Sequence, residues 1–89
     1  MPGVRVLTYL LAIAEFGHFG RAAERCNVSQ STLSGQLKRF EDYLGVRLIE
    51  RHPDGARLTD AGRRVVPWAD VMVHAAKRLR DTARTPECT

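Results

Sequence analysis

Val4, Leu7, Leu11 and Ala14 recur at steps of three and four, with Leu10 and Ile13 beside them, and this spacing predicts a helix over residues 4–16. Gly17, and the Gly20 that follows Phe19, mark a stop and a restart. The next segment, Gly20 to Cys26, carries Ala22-Ala23 with charge around it, as a second helix of about two turns would. Asn27 suits the left-handed backbone that ends a helix, and Ser29 suits the cap of the next. Val28 between them is an apolar plug for the core, so a tight turn of about three residues joins a short helix to a longer one.

The third helix is predicted from Gln30 to about Leu44, ending at Gly45, with Leu33, Leu37, Phe40 and Leu44 on one face. At about 100° per residue the opposite face holds Ser31, Gly35, Lys38 and Asp42, flanked by Thr32, Ser34 and Arg39. Small hydroxyls, a bare glycine and then positive charge make this face unlike an ordinary Glu/Lys surface. A glycine inside a helix costs about 1 kcal/mol relative to alanine, so Gly35 invites a reason. Close approach of another surface is one; drift on a solvated face is the other.

Beyond Gly45 the period changes. Val46, Leu48 and Leu58 flank a Pro53-Asp54-Gly55 turn, which predicts a two-stranded wing of residues 48–51 and 56–59. Thr59-Asp60 then reads as a helix start, with an acid at the positive end of the dipole. The last helix, about Asp60 to Arg84, places Ala61, Val65, Trp68, Met72, Ala75, Leu79 and Thr82 at alternating steps of four and three, widened by Val66, Ala69, Val73 and Ala76. So long a stripe exceeds what a small domain covers, which implies a partner helix. Pro67 interrupts it; one kinked helix is preferred over a break at Val66. Residues 85–89 are expected to be a loose tail.

Length and composition narrow the classes. Eighty-nine residues make one small domain, and 44% hydrophobic with 27% charged residues is a globular balance. No apolar run approaches the ~18 residues of a membrane span. Cys26 and Cys88 cannot form a disulfide framework, so a reducing, cytoplasmic setting is expected. The net charge is +4, twelve of the fourteen basic residues are arginine, and thirteen of them lie at Arg21 or beyond. That bias favours a polyanionic partner.

Catalytic and metal chemistry find little support. His18, His52 and His74 fall on separate elements, neither cysteine has a CxxC partner, and Cys26 reads as a small core residue. Gly17-His18-Phe19-Gly20 lacks the lysine and preceding strand of a phosphate loop, and Glu41, Asp42 and Asp60 imply no cleft. No enzyme activity, cofactor or metal is expected. A helix–turn–helix works instead by laying its second helix in the major groove, where residues of the first turns meet base edges. Here those are Gln30, Ser31, Thr32, Ser34 and Gly35, with Lys38 and Arg39 on phosphates and the wing's Arg51 and Arg57 along an adjacent groove or backbone. Taken singly, each hydroxyl is as well explained by a local backbone bond. As a set they point to double-stranded DNA.

The run Phe19-Gly20-Arg21-Ala22-Ala23-Glu24-Arg25-Cys26-Asn27-Val28-Ser29-Gln30-Ser31-Thr32-Leu33-Ser34 resembles the helix–turn–helix signature of LysR-type transcriptional regulators. Leu37, Phe40-Glu41, Leu44 through Arg51, and Leu58-Thr59-Asp60-Ala61-Gly62 extend the resemblance over about residues 3–80. His18-Phe19-Gly20-Arg21 with Leu33-Ser34-Gly35-Gln36 is most similar to the branch of hydrogen-peroxide-inducible gene activators. The resemblance implies a mostly α winged helix–turn–helix over residues 1–59, with the helix–turn–helix at about 19–38 and the wing at about 46–59. A linker helix over 60–84 would then pair antiparallel with a second copy through Val65, Trp68, Met72, Ala75 and Leu79. The expected partners are double-stranded DNA, read as an interrupted inverted repeat, and a homodimer, with a tetramer in an intact parent. No membrane and no small-molecule ligand are expected.

Relatives continue into a ligand-sensing domain of two α/β lobes, which this chain does not reach, so a DNA-binding fragment or a natural truncation is expected. Any sensing cysteines would lie there, which leaves Cys26 without that role. Many relatives have proline where Ser31 stands, arginine where Gly35 stands, and basic residues near the wing tip, where this chain has Asp54-Gly55. The alternative reading, favoured by Asp42 and Asp54, is a protein-interaction and oligomerisation module that does not read DNA sequence.

Overall fold

In the computed structural model, which describes residues 3–86, helix α1 (Val4–Phe16) lies at the centre of the packing. Its apolar positions bury Leu7, Leu10 and Ile13 against all that follows, and it ends at Gly17, whose left-handed backbone (φ 61°) donates its N–H to the Ile13 carbonyl. Helix α2 (Phe19–Cys26) starts one residue before the expected Gly20, because His18 is its N-cap: Nδ1 accepts the Arg21 N–H at 3.2 Å. Asn27 ends it in the left-handed region (φ 58°), and the Val28 N–H returns to the Ala23 carbonyl at 3.0 Å.

Helix α3 (Gln30–Leu44) is capped by Ser29, whose Oγ accepts the Thr32 N–H at 3.1 Å. Leu33, Leu37 and Phe40 are buried as their spacing predicts. Leu44, on the same predicted face, is exposed instead, because the last turn of α3 runs past the core.

The wing is an antiparallel pair, β1 (Ile49–His52) and β2 (Gly55–Leu58), in register Ile49↔Leu58, Glu50↔Arg57, Arg51↔Ala56 and His52↔Gly55. Each strand sits one residue from its predicted span. Leu48 belongs to the core, and its carbonyl accepts the Thr59 N–H at 2.9 Å, while Thr59 is already committed as the next N-cap. The wing is seated on the α1–α2 corner: the Ala56 N–H donates to the Gly17 carbonyl at 2.9 Å. A Cβ on Gly55 (φ 150°) would overlap that same carbonyl.

Helix α4 (Asp60–Arg84) is capped by Thr59, whose Oγ1 accepts the Gly62 N–H at 3.0 Å and donates to the Arg47 carbonyl at 2.7 Å. It runs unbroken through Pro67, which is exposed and leaves one helix carbonyl without its usual N–H donor. Gly62 and Ala69 are buried, and Ala61, Val65, Val66 and Val73 pack on the core, where α4 lies along α1. The far end projects, which gives the molecule extents of 56 × 25 × 19 Å. Thr85 closes the helix by bonding the Asp81 carbonyl through both N–H and Oγ1. The rest of the expected loose tail, residues 87–89 with Cys88, lies outside the described residues. No helix among those described is long and apolar enough to cross a membrane.

Candidate nucleic-acid interface

The outer face of α3 carries the predicted set in one stripe. Gln30, Ser31, Thr32, Gly35, Lys38 and Arg39 are exposed, and Ser34 is half-buried at its wing-side edge. At the helix start Ser29 Oγ donates to Thr32 Oγ1 at 2.8 Å and lies 3.2 Å from Ser31 Oγ, so three hydroxyls share one network. Apart from the glycine, its chain neighbours and the adjoining helix backbone, no heavy atom lies within 4 Å of the point where a Cβ on Gly35 would stand. Lys38 and Arg39 have no ion-pair partner among the described residues. Two free cations beyond a hydroxyl-rich first turn suit a polyanion whose base edges meet the hydroxyls.

The wing divides the two arginines that the sequence grouped together. Side chains alternate along a strand, and the register turns Ile49, Arg51, Ala56 and Leu58 inward and Glu50 and Arg57 outward. Arg51 therefore faces the helices: its guanidinium carbon stands 3.9 Å from the centroid of the Phe19 ring, and Nη2 donates to Ser34 Oγ. Arg57 stands across from Glu50 and lies 3.9 Å from Asp54, an exposed pair that offsets its charge near the wing tip. An open groove of about 500 Å³ runs between α3 and the wing, with Lys38, Arg47 and Arg51 among its cations and Glu41 and Asp42 among its acids.

Glu41 is a residue that reasoning from the pattern missed. Its carboxylate accepts the backbone N–H groups of Leu48 at 2.6 Å and Ile49 at 3.1 Å, and Arg47 Nε lies 3.8 Å away. It holds the entry to β1 against the end of α3. No sequence signal finds this bond, because it joins residues whose proximity depends on how the chain turns at Gly45. His18 was likewise unread as a cap, although its place before Phe19 is where a capping side chain belongs.

On α4 the seven-residue pattern splits between two faces. Val65 packs on the domain's own core, whereas Trp68 (71% exposed), Met72, Ala75 and Leu79 (70% exposed) stand free, with exposed Val71 beside them. Cys26 is half-buried next to Val28; burial pushes its thiol up from the ordinary cysteine range, and the Arg25 charge works against that shift. Its side chain packs against the edge of the core.

Helices α2 and α3 joined by a tight turn, with a two-stranded wing and a long following helix, define a winged helix–turn–helix. The family model described as "Bacterial regulatory helix-turn-helix protein, lysR family" matches residues 4–63, and the chain belongs to that family. It is a family of regulators, not of enzymes. A hydrogen peroxide-inducible genes activator of Haemophilus influenzae is 44% identical over 80 residues, covering 90% of this chain. The chain spans only 27% of that relative's length. Among solved structures, a full-length OxyR variant from Pseudomonas aeruginosa superposes with a TM-score of 0.91 at 40% identity, covering 99% of this chain and 30% of that one. A CbnR DBD–DNA complex superposes with a TM-score of 0.87 at 37% identity, covering 93% of this chain and 95% of that one. Hydrogen peroxide-inducible activators, the branch expected from the sequence, are thus among its similar relatives.

Proposed function

We propose that this chain is the DNA-reading part of a LysR-type transcription regulator, acting in the cytoplasm and docking as a dimer on an inverted repeat. Residues 1–59 carry the DNA contacts and residues 60–84 the pairing helix. The observation that carries this reading is the outer face of α3, where hydroxyls, an open glycine and the free cations Lys38 and Arg39 form one exposed stripe. The likeness to a protein solved with DNA supports it. Ser31, Thr32 and Ser34 meet base edges in the major groove, Gln30 meets a base or phosphate at the helix start, and Gly35 lets the groove floor approach. Arg57 contributes at the wing only after breaking its pair with Asp54.

The dimer reading rests on Trp68, Met72, Ala75 and Leu79, with Val71 completing the face and Val65 at its inner edge. Side chains as large as Trp68 and Leu79 left in water on one helix face are the mark of a surface awaiting a partner. A helix paired antiparallel with its copy gives two recognition helices related by a two-fold axis, which is the symmetry of an inverted repeat. Selection of duplexes from a randomised library by the purified chain, at near-physiological salt, tests this. An enriched inverted repeat with fixed half-site spacing is expected. Recovery of all sequences alike would reject sequence reading, and no recovery from a folded sample would favour the protein-interaction module.

A further inference from the structure

The sequence groups Arg51 with Arg57 along an adjacent groove or backbone, and the strand register turns it toward the recognition helix. We propose that Arg51 is a positioning residue for specificity: its bond to Ser34 occupies one lone pair of that hydroxyl and biases the serine toward donating a hydrogen bond to the DNA. The proposal rests on the DNA reading above.

A free serine hydroxyl has one proton and two lone pairs and rotates to suit donor or acceptor, so by itself it discriminates poorly between base edges. A guanidinium is donor only. With Arg51 Nη2 donating to Oγ, Ser34 accepts in that bond and its proton is directed elsewhere. Arg51 is the one hydrogen-bond partner of Ser34 Oγ among the described residues, so no other group among them claims that proton. The positive charge at the accepting lone pair also polarises the O–H and makes it a stronger donor.

The arginine is itself held from two sides. Its guanidinium lies on the face of Phe19, which is buried at the start of α2. Its backbone pairs with Ala56, whose N–H is anchored on the Gly17 carbonyl. A flat cation on a buried ring, fed by an anchored strand, presents its donor in one direction. Arg51 joins α2, α3 and the wing at one point, and Ser34 is the member of that cluster on the DNA-facing helix.

The consequence is a preference at the base pair facing Ser34. A donor suits the acceptors of the major groove: guanine O6 and N7, adenine N7, and thymine O4. At the cytosine amino group, itself a donor, Ser34 has one lone pair left to accept with and its polarised proton goes unused, so that edge is disfavoured. Arg51 thus shapes base choice without contacting a base.

The test uses the chain itself with the duplex enriched from a randomised library, that duplex with the facing base pair replaced, and random duplex DNA. Ser34→Ala identifies the facing base pair as the one whose preference it relaxes, by roughly ten-fold. Arg51→Lys keeps the charge but not the planar fork that stacks and donates at once. It is expected to relax the same base pair by a similar factor, with a much smaller change on random duplex than at that base pair. The double variant is expected to lose no more than either single one. Retained preference in Arg51→Lys, losses that multiply in the double variant, or an equal loss on every sequence would overturn the proposal. Phe19→Leu, which removes the ring but keeps an apolar core side chain, is expected to relax the same base pair and keeps the test decisive if Arg51→Lys unfolds. If the unaltered chain prefers no sequence at all, the DNA reading falls, and this proposal with it.

Discussion

Gly62 and Gly35 are both helical glycines, and their surroundings predict opposite responses to the same added methyl. A Cβ on Gly62 would overlap the Leu48 carbonyl oxygen and press on Leu58 Cβ at 3.2 Å, where α4 crosses the chain entering the wing. Backbone has little room to yield, so Gly62→Ala is expected to destabilise the fold by about 1–3 kcal/mol, the range of overpacked cores. Denaturant titration reads this as a lower midpoint, and an unchanged midpoint would show that α4 is not seated on Leu48. Gly35 has open space around it, so Gly35→Ala brings only the gain in helix propensity, up to about 1 kcal/mol. A raised midpoint in the same titration is expected; a lowered one would mean that the face is covered in the free protein.

Among the elements, the wing depends on the end of α3. Two backbone N–H groups at the entry to β1 have the Glu41 carboxylate as their acceptor, and Glu41 is part-buried beside them. Glu41→Ala would leave both part-buried donors short of a protein partner, a loss toward the lower end of the roughly 1–3 kcal/mol for such a group, since the adjoining groove is open to water. Hydrogen exchange should then quicken at Leu48, Ile49 and along β1–β2, and much less in α1. Exchange that rises equally everywhere would instead assign Glu41 to global stability. The same element-scale coupling places Arg51 against Ser34, since a wing that loosens releases both its strand register and its hold on the recognition helix.

Across the whole molecule, α4 serves two surfaces with one repeat. One side lies on α1 through Val65, Val66, Ala69 and Val73; the other leaves Trp68, Val71, Met72 and Leu79 in water. The two sides predict different failures. Trp68→Glu with Met72→Glu places charge on the free face and is expected to shift the chain toward monomer in sedimentation, with its helical circular dichroism retained. Val65→Glu buries a charge against the domain's own core and is expected to lower stability instead. A double variant of unchanged mass would remove the pairing face from consideration.

The helices were legible because a helix writes its period into the sequence: α1 and α3 were predicted within a residue of where they lie, and Asn27, Ser29 and Thr59 take the turn and cap roles their side chains favour. The exposed stripe of α3 was legible for the same reason, since residues that avoid the apolar face must take the other one. Apolar spacing alone, however, does not say which partner a stripe meets. It took the packing of α1 on α4 to assign Val65 inward and Trp68 outward. Nor does a short strand fix its own register: a shift of one residue reverses every side chain, and the seating of Leu48, Thr59 and Ala56 decided that Arg51 points to Ser34 and Arg57 to solvent. Local periodicity and capping chemistry are properties of neighbouring residues, and the sequence contains them. Facing direction across the wing, the Glu41 bonds and the Phe19–Arg51–Ser34 cluster join residues distant along the chain, and they exist only once the core has closed.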